Sequence, residues 1–147
     1  MKVHVNPRIP IAYGERILND EKIIGFIDKD GIFINKQNVE EENLNKLTIH
    51  VFGWEEKFKK ILSEIFITVE NYELEIVKIT FSSDGFLTIE EKDLNTIFLG
   101  LRPNLINYHL QIINNLKNEF KKSSFSKKID SIDLTNPDKP KIKVFKP

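Results

Sequence analysis

The side chains best placed to do chemistry are three histidines, His4, His50 and His109, together with scattered carboxylates and hydroxyls. Imidazole changes charge near neutral pH, so histidine is the first candidate for a general acid, a base or a metal ligand. The three are far apart in the chain and have no ligand spacing, so no metal site and no cofactor are expected. His50 alternates with Ile49 and Val51 in a strand pattern, which turns it toward solvent. His109 falls beside an apolar stripe on a helix, where a hydrogen-bonded structural histidine is expected. A set of Ser63, His50 and Asp93 can be drawn on paper, but no G-x-S-x-G elbow accompanies it. The carboxylate runs Glu40-Glu41-Glu42 and Glu90-Glu91 lie in polar loops, where water would keep both acids of a pair ionised. Six glycines stand singly at turns and form no phosphate-cradling loop. Asp28-Lys29-Asp30-Gly31 lacks the further acidic ligands of a calcium loop, and Gln37 stands where its glutamate would be; a hairpin turn is expected. No catalytic residue is therefore assigned, and the chain is expected not to be an enzyme.

The last strand-like segment carries a different kind of chemistry. In Lys141-Ile142-Lys143-Val144-Phe145, Ile142 and Val144 define the buried face, leaving Phe145 on the other face beside Lys141 and Lys143. A large aromatic on a lysine-lined strand face is a candidate anchor for a partner protein. Edge lysines also discourage unwanted strand pairing, so that reading stays open beside the first. On either reading the segment is expected at the margin of its sheet. Proline at Ile142 or Lys143 is then expected to remove partner pairing and spare most of the fold.

The elements that would position this segment follow from periodicity. Val3 and Val5 alternate before Asn6-Pro7, one short strand. Strands are expected at 9–13, 22–27, 32–35, 47–52, 73–81, 86–90, 95–99, 129–134 and 141–145, with Asp-Gly hairpins at 28–31 and 83–85. Trp54, Phe58, Ile61, Leu62, Ile65 and Phe66 recur at helical spacing, with Glu55–Lys59 and Glu56–Lys60 as i,i+4 pairs on the wet side. A second helix is expected after Arg102-Pro103, capped by Asn104, with Leu105, Tyr108, Ile112, Ile113, Leu116 and Phe120 inward and Lys121-Lys122 at its C-terminal end. Hairpins with two amphipathic helices mean an α+β fold, a mainly antiparallel sheet carrying both helices on one face.

Composition sets the outer bounds. A chain of 147 residues suits one domain and is long enough to bury a core without staples. With no cysteine there are no disulfides and no thiolate sites. No run reaches the length of a membrane span, and the first residues do not read as a signal peptide. Net charge is zero, but from Leu101 onward ten Lys and Arg residues face four Asp and Glu, an excess of six positive charges. That end is a solvated basic surface, or a guide for an acidic partner or anionic lipid headgroups. The phenylalanines Phe81, Phe86 and Phe98 alternate with apolar neighbours without interleaved Arg or Lys, which suits a core better than a base-stacking platform.

Four motifs, in order, resemble the extracytoplasmic part of the FtsQ/DivIB cell-division family. Val3-His4-Val5-Asn6-Pro7-Arg8-Ile9-Pro10-Ile11-Ala12 resembles the junction between its POTRA domain and its larger β domain. Gly25 to Ile34 is similar to the D-x-x-G hairpin just downstream, and Phe98-Leu99-Gly100 to the x-L-G end of a strand before a long helix. Ile132 to Pro140 resembles the I-D-L-x-N-P signature of the penultimate strand and turn. Each motif is weak alone; order and spacing carry the likeness, which spans essentially the whole chain.

The resemblance implies the end of a truncated POTRA domain at 1–8 and a β domain at 9–147. It further implies a divisome scaffold in septum formation, on the periplasmic side of the inner membrane, tethered by an upstream transmembrane helix outside this sequence. Its partners would be proteins of the FtsB/FtsL type, bound by strand addition at Thr135, Asn136, Lys141, Ile142, Lys143, Val144 and Phe145, with no nucleic acid. Thr135 stands where some members have an arginine that ion-pairs with the partner, so charge recognition would fall to the neighbouring lysines or be absent. Two other classes stay in competition: a small hydrolase using His50 or His109, and a nucleic-acid module using the basic C-terminal region.

Overall fold

The computed structural model describes residues 8–38, 46–122 and 128–145. The expected strand at Val3 and Val5 lies outside the described residues. Among the described residues nine strands, β1 (Pro10–Leu18), β2 (Glu21–Asp28), β3 (Phe33–Asn35), β4 (Ile49–Phe52), β5 (Ile76–Phe81), β6 (Leu87–Glu91), β7 (Asn95–Gly100), β8 (Ile129–Asp133) and β9 (Lys141–Val144), form one sheet. Its order is β3-β2-β1-β4-β5-β6-β7-β8-β9. Two helices, α1 (Lys59–Asn71) and α2 (Ile106–Lys122), pack on each other and on the sheet, so the α+β class holds.

The sheet is mixed. The hairpin neighbours β1–β2, β2–β3, β5–β6, β6–β7 and β8–β9 are antiparallel, while β1–β4, β4–β5 and β7–β8 are parallel. Two of the parallel joins are strand–helix–strand crossovers, β4–α1–β5 and β7–α2–β8. A helix is the usual length of chain needed to return to the same end of a sheet.

β1 runs on past Tyr13 through Gly14 to Leu18, five residues beyond its expected end. Gly14 and Gly25 face each other across β1 and β2, and the ring of Phe33 lies over both, filling the space two side chains would take. The hairpin then turns at Asn19 and Asp20, both at positive φ (52° and 63°). Asn and Asp tolerate that conformation better than most residues, which suits a tight two-residue turn.

Asp28-Lys29-Asp30-Gly31 is a hairpin turn. The Asp28 carboxylate accepts from the backbone N–H groups of Asp30 (2.9 Å) and Ile32 (3.0 Å) and from Arg8 Nη1 (2.8 Å). Gly31 sits at φ 78°, and a Cβ there would lie 2.2 Å from the Lys59 carbonyl oxygen. The turn therefore docks against the start of α1, where Trp54 Nε1 donates to the Gly31 carbonyl at 2.8 Å.

The apolar series from Trp54 to Phe66 straddles two elements. A 3₁₀ turn spans Glu56–Phe58 and α1 follows it. Ile61, Leu62, Ile65 and Phe66 are buried as expected, while Phe58 stacks on Phe81 with ring centres 4.1 Å apart. The i,i+4 pairs do not form among the described residues; Lys59 meets Glu56 instead, the spacing that three residues per turn brings together.

In α2 the inward face is rotated from expectation. Ile106, His109, Leu110, Ile113 and Lys117 are buried; Tyr108 is exposed, and Leu105, Ile112, Leu116 and Phe120 are only partly covered. Asn104 does not cap the helix: it lies within the 3₁₀ turn Pro103–Leu105, whose entry has no side-chain cap.

Lys117 is buried because it has a specific partner. Its Nζ donates to the Glu91 carboxylate at the end of β6 and lies 3.5 Å from Asp93. Both side chains of the Lys117–Glu91 pair are almost wholly out of solvent. Glu91 also accepts from the backbone N–H groups of Glu75 (2.9 Å), Asp93 (2.7 Å) and Leu94 (3.1 Å). Burial alone would lower the Lys117 ammonium, but the hydrogen bond and charge of Glu91, aided by Asp93, raise it above the ordinary lysine value. A group raised in the folded state contributes stability that is present below its unfolded pKa and lost as pH rises through the folded one.

Lys117→Met leaves the Glu91 carboxylate buried without its counterion. The expected cost is about 3 kcal/mol of unfolding free energy at neutral pH, by chemical denaturation, with partial recovery on adding Glu91→Gln. The parent should also lose stability above the ordinary lysine range, a component that Lys117→Met lacks. A cost below about 1 kcal/mol would mean that the pair does not hold α2 in place.

Candidate partner-binding edge

β9 is the terminal strand of the sheet. It pairs with β8 through Ile129↔Val144, Ser131↔Lys143, Ile132↔Ile142 and Asp133↔Lys141. Among the described residues no strand pairs with its outer side. The ladder shifts between Ile129 and Ser131, so the irregularity lies at Asp130 on β8 and leaves β9 regular.

Main-chain direction in β9 follows from one contact. Phe145 N–H donates to the Lys128 carbonyl at 3.0 Å, so it points toward β8. Amides alternate along a strand; those of Lys143 and Lys141 therefore point the same way, and those of Ile142 and Val144 point out of the sheet. The groups free for another strand are the N–H and C=O of Ile142 and Val144.

Side-chain direction agrees with the alternation read from sequence, but burial does not. Directly opposed residues share a face, and Ile142 lies opposite the fully buried Ile132, so Ile142 and Val144 are on the helix side. They are not buried: Ile142 is 50% and Val144 41% exposed, because the helices do not reach over the last strand. Phe145 is 50% exposed. An apolar strip of Ile142 and Val144 thus stands open on the helix side, and Phe145 stands open beside the lysines on the other face.

The turn from β8 into β9 is built by Thr135 and Asn136. Thr135 donates to Asp133 Oδ1 through its backbone N–H (2.9 Å) and its hydroxyl (2.6 Å). Asn136 accepts from Asp138 N–H through its side chain (3.2 Å) and from Lys139 N–H through its carbonyl (3.0 Å). The turn is tied to α2 by Tyr108, whose hydroxyl donates to Asp138 at 3.0 Å, while His109 Nε2 donates to the Leu134 carbonyl at 2.9 Å. Thr135 and Asn136 are exposed but already committed to the turn, so they shape the edge more than they offer free donors.

The positive excess of this region is partly neutralised at the edge itself. Lys143 Nζ lies 3.9 Å from Asp130, and the charge of Lys141 is among the causes acting on Asp133. The two hydrogen bonds from Thr135, before that charge, hold the Asp133 carboxyl below the ordinary aspartate value. Tyr108 and Asp130 carried no signal in the sequence as parts of this site, and each matters through a neighbour brought close only by the fold, Asp138 and Lys143; Asp133 stood in the I-D-L-x-N-P motif, and its partner Thr135 is local.

Elsewhere the titratable groups are separate. His50 is exposed and stacks between Tyr13 (4.7 Å) and Phe52 (6.3 Å), and His109 is held by Leu134. Asp93 sits by Lys117, and no hydrogen bond joins His50, Ser63 and Asp93 among the described residues. The described residues hold no group of three or more His, Asp or Glu side chains able to share a metal ion. No described helix is long and apolar enough to cross a membrane. Compared with protein-family models and with curated proteins, the chain matches none.

Thr135→Val keeps the shape of residue 135 and removes one donor to Asp133. Carboxyl-carbon NMR should show Asp133 titrating below the ordinary aspartate range in the parent and moving upward in the variant. Because a depressed carboxyl contributes stability only above its unfolded pKa, the turn should loosen as pH falls through the folded value. Identical titration in both proteins would remove the Thr135 hydroxyl from the turn.

Proposed function

We propose that the chain is a non-enzymatic, extracytoplasmic scaffold domain of the FtsQ/DivIB kind that binds partner proteins of the FtsB/FtsL type by adding their strand to β9. The observation that carries this reading is the state of β9: the last strand of the sheet, unpaired on its outer side among the described residues, with Ile142, Val144 and Phe145 about half exposed. An edge of this kind supplies main-chain hydrogen bonds for affinity and alternate side-chain contacts for specificity. The ordered motifs ending in Ile132-Asp133-Leu134-Thr135-Asn136-Pro137 support the likeness to that family. A membrane-tethered, periplasmic setting follows from that family and belongs to the same proposal.

Magnitudes decide what the partner must bring. Completing the burial of Ile142, Val144 and Phe145 contributes about 3 kcal/mol, at roughly half the value of a fully buried side chain each. Each new main-chain hydrogen bond adds about 1 kcal/mol. Association itself costs at least about 4 kcal/mol. Strand pairing alone therefore gives a weak complex, and a firm one requires the partner to cover the helix-side face of Ile142 and Val144 as well. Recognition rests on apolar contact and main-chain pairing, since Asp130 and Asp133 offset the neighbouring lysines.

Proline separates the two roles of β9. At Ile142 it removes an N–H that points outward, which an edge strand tolerates; at Lys143 it removes a bond to β8. The equal effect expected from sequence at these two positions is thereby split. Ile142→Pro should keep the circular dichroism spectrum and melting temperature near the parent's and abolish capture of an FtsB-type segment, whereas Lys143→Pro should also lower the melting temperature. Phe145→Ala should weaken capture about thirtyfold, the equivalent of about 2 kcal/mol. Capture by folded Ile142→Pro at parental affinity sinks strand addition; RNA binding with a steep salt dependence would favour the nucleic-acid class instead.

A further inference from the structure

A cleft of about 550 Å³ opens where the two helices begin, between the entry to α1, the entry to α2 and the ends of β5 and β7. Its volume lies within the range of small-molecule sites. In sheets with strand–helix–strand crossovers, the carboxyl ends of the strands and the starts of the helices share one end, which is where such sites form. Phe58, Ile61, Phe81 and Leu99 line its apolar part, and Lys60 and Arg102 stand in its wall.

Three features of the lining point to the chemistry of an occupant. The first is His109, only 1% exposed, on the cleft wall. Its Nε2 faces the Leu134 carbonyl, which can only accept, so Nε2 carries the proton and Nδ1 is the acceptor. Nδ1 is closed off from the cleft as from solvent, and it has no hydrogen-bond partner among the described residues. Burial, against the opposing effect of the Leu134 hydrogen bond and with help from the charge of Arg102, lowers the imidazole's pKa, which keeps it neutral at neutral pH. The His109 ring therefore gives the cleft a neutral wall rather than a third cation.

The second feature is the pair of helix entries. Among the described residues no side chain caps either 3₁₀ turn, Glu56–Phe58 before α1 or Pro103–Leu105 before α2, and only the first carries an acidic residue, Glu56, which is paired with Lys59. Uncapped helix starts attract anions. The third is the charge balance. Lys60 and Arg102 have no carboxylate within ion-pair distance among the described residues, and Lys57 lies over the Phe58 ring. Opposing them are Glu64 and Asp84, and Asp84 is already engaged by the Ser82 hydroxyl and Phe86 N–H.

We infer that this cleft binds a small organic anion that carries an apolar ring. Lys60, Arg102 and the helix entries take the anionic group, and Phe58, Ile61 and Leu99 take the ring. The site is separate from the β9 edge, so each proposal stands or falls on its own.

The probe is 8-anilinonaphthalene-1-sulfonate, which has a sulfonate, aromatic rings and one N–H, titrated into the full chain by fluorescence and NMR. The expected result is one-to-one binding, with shifted amides at 100–107 and shifted ring resonances of His109. The double charge reversal Lys60→Glu with Arg102→Glu, at two exposed positions, should weaken it at least about tenfold, the span of one lost charged hydrogen bond. The uncharged analogue N-phenyl-1-naphthylamine should bind more weakly than the sulfonate. No binding at millimolar probe overturns the inference. So do shifts confined to β9 or the β1–β2 hairpin, or equal affinity for the parent and the folded double variant.

Discussion

The position of α2 depends on the buried contact between Lys117 and Glu91. Glu91 ends β6 and gathers three backbone N–H groups from the chain around it, so its carboxylate is held independently of the helix. Lys117 then has one place to go. A buried ion pair is seldom the most stabilising filling for a core, since well-packed apolar residues do as well or better. What it supplies here is register: sliding α2 by one turn would leave two charges buried and unpaired. That register passes directly to the edge, because the first turn of α2 carries both Tyr108, bonded to the β8–β9 turn, and His109, bonded to the end of β8.

The two ends of the sheet are finished differently. β3 has three residues, with Ile34 buried and Phe33 partly covered, and a 3₁₀ turn at Lys36–Asn38 follows at once. Such a short strand offers little to pair with. β9 is four residues long with every side chain exposed, and it keeps its outward N–H and C=O groups in line. Lys141 and Lys143 protect one face from indiscriminate pairing, while Ile142 and Val144 leave the other apolar. One end is blunted by shortness; the other is guarded only by charge.

Much of this was legible locally. The Asp28–Gly31 and Ser83–Gly85 turns, the strands they join and the existence of both helices follow from residue types and period, because those signals act over a few residues. The parallel pairings were not legible, since nothing local says which distant strand lies alongside. The inward face of α2 was misjudged for a physical reason: His109 and Lys117 are polar yet buried, while Tyr108 is aromatic yet outside. Each is explained by one partner on another element. The edge site was half legible. Alternation placed Ile142 and Val144 on the correct face, but whether a helix covers that face is a matter of tertiary reach, and α2 falls short of it.

That shortfall connects the two ends of the argument about function. A strand whose inner face were covered by α2 would expose only its main chain and one lysine-lined face, and a partner would gain little beyond hydrogen bonds that water already satisfies. With Ile142 and Val144 uncovered, a partner that adds a strand and lays a side chain or helix over them extends the existing core by one more layer. Area removed from water, rather than charge, then sets the affinity. The carboxylates of Asp130 and Asp133 fit the same logic: by neutralising the adjacent lysines they lower the cost of drying the edge, which two unpaired ammonium groups would otherwise raise.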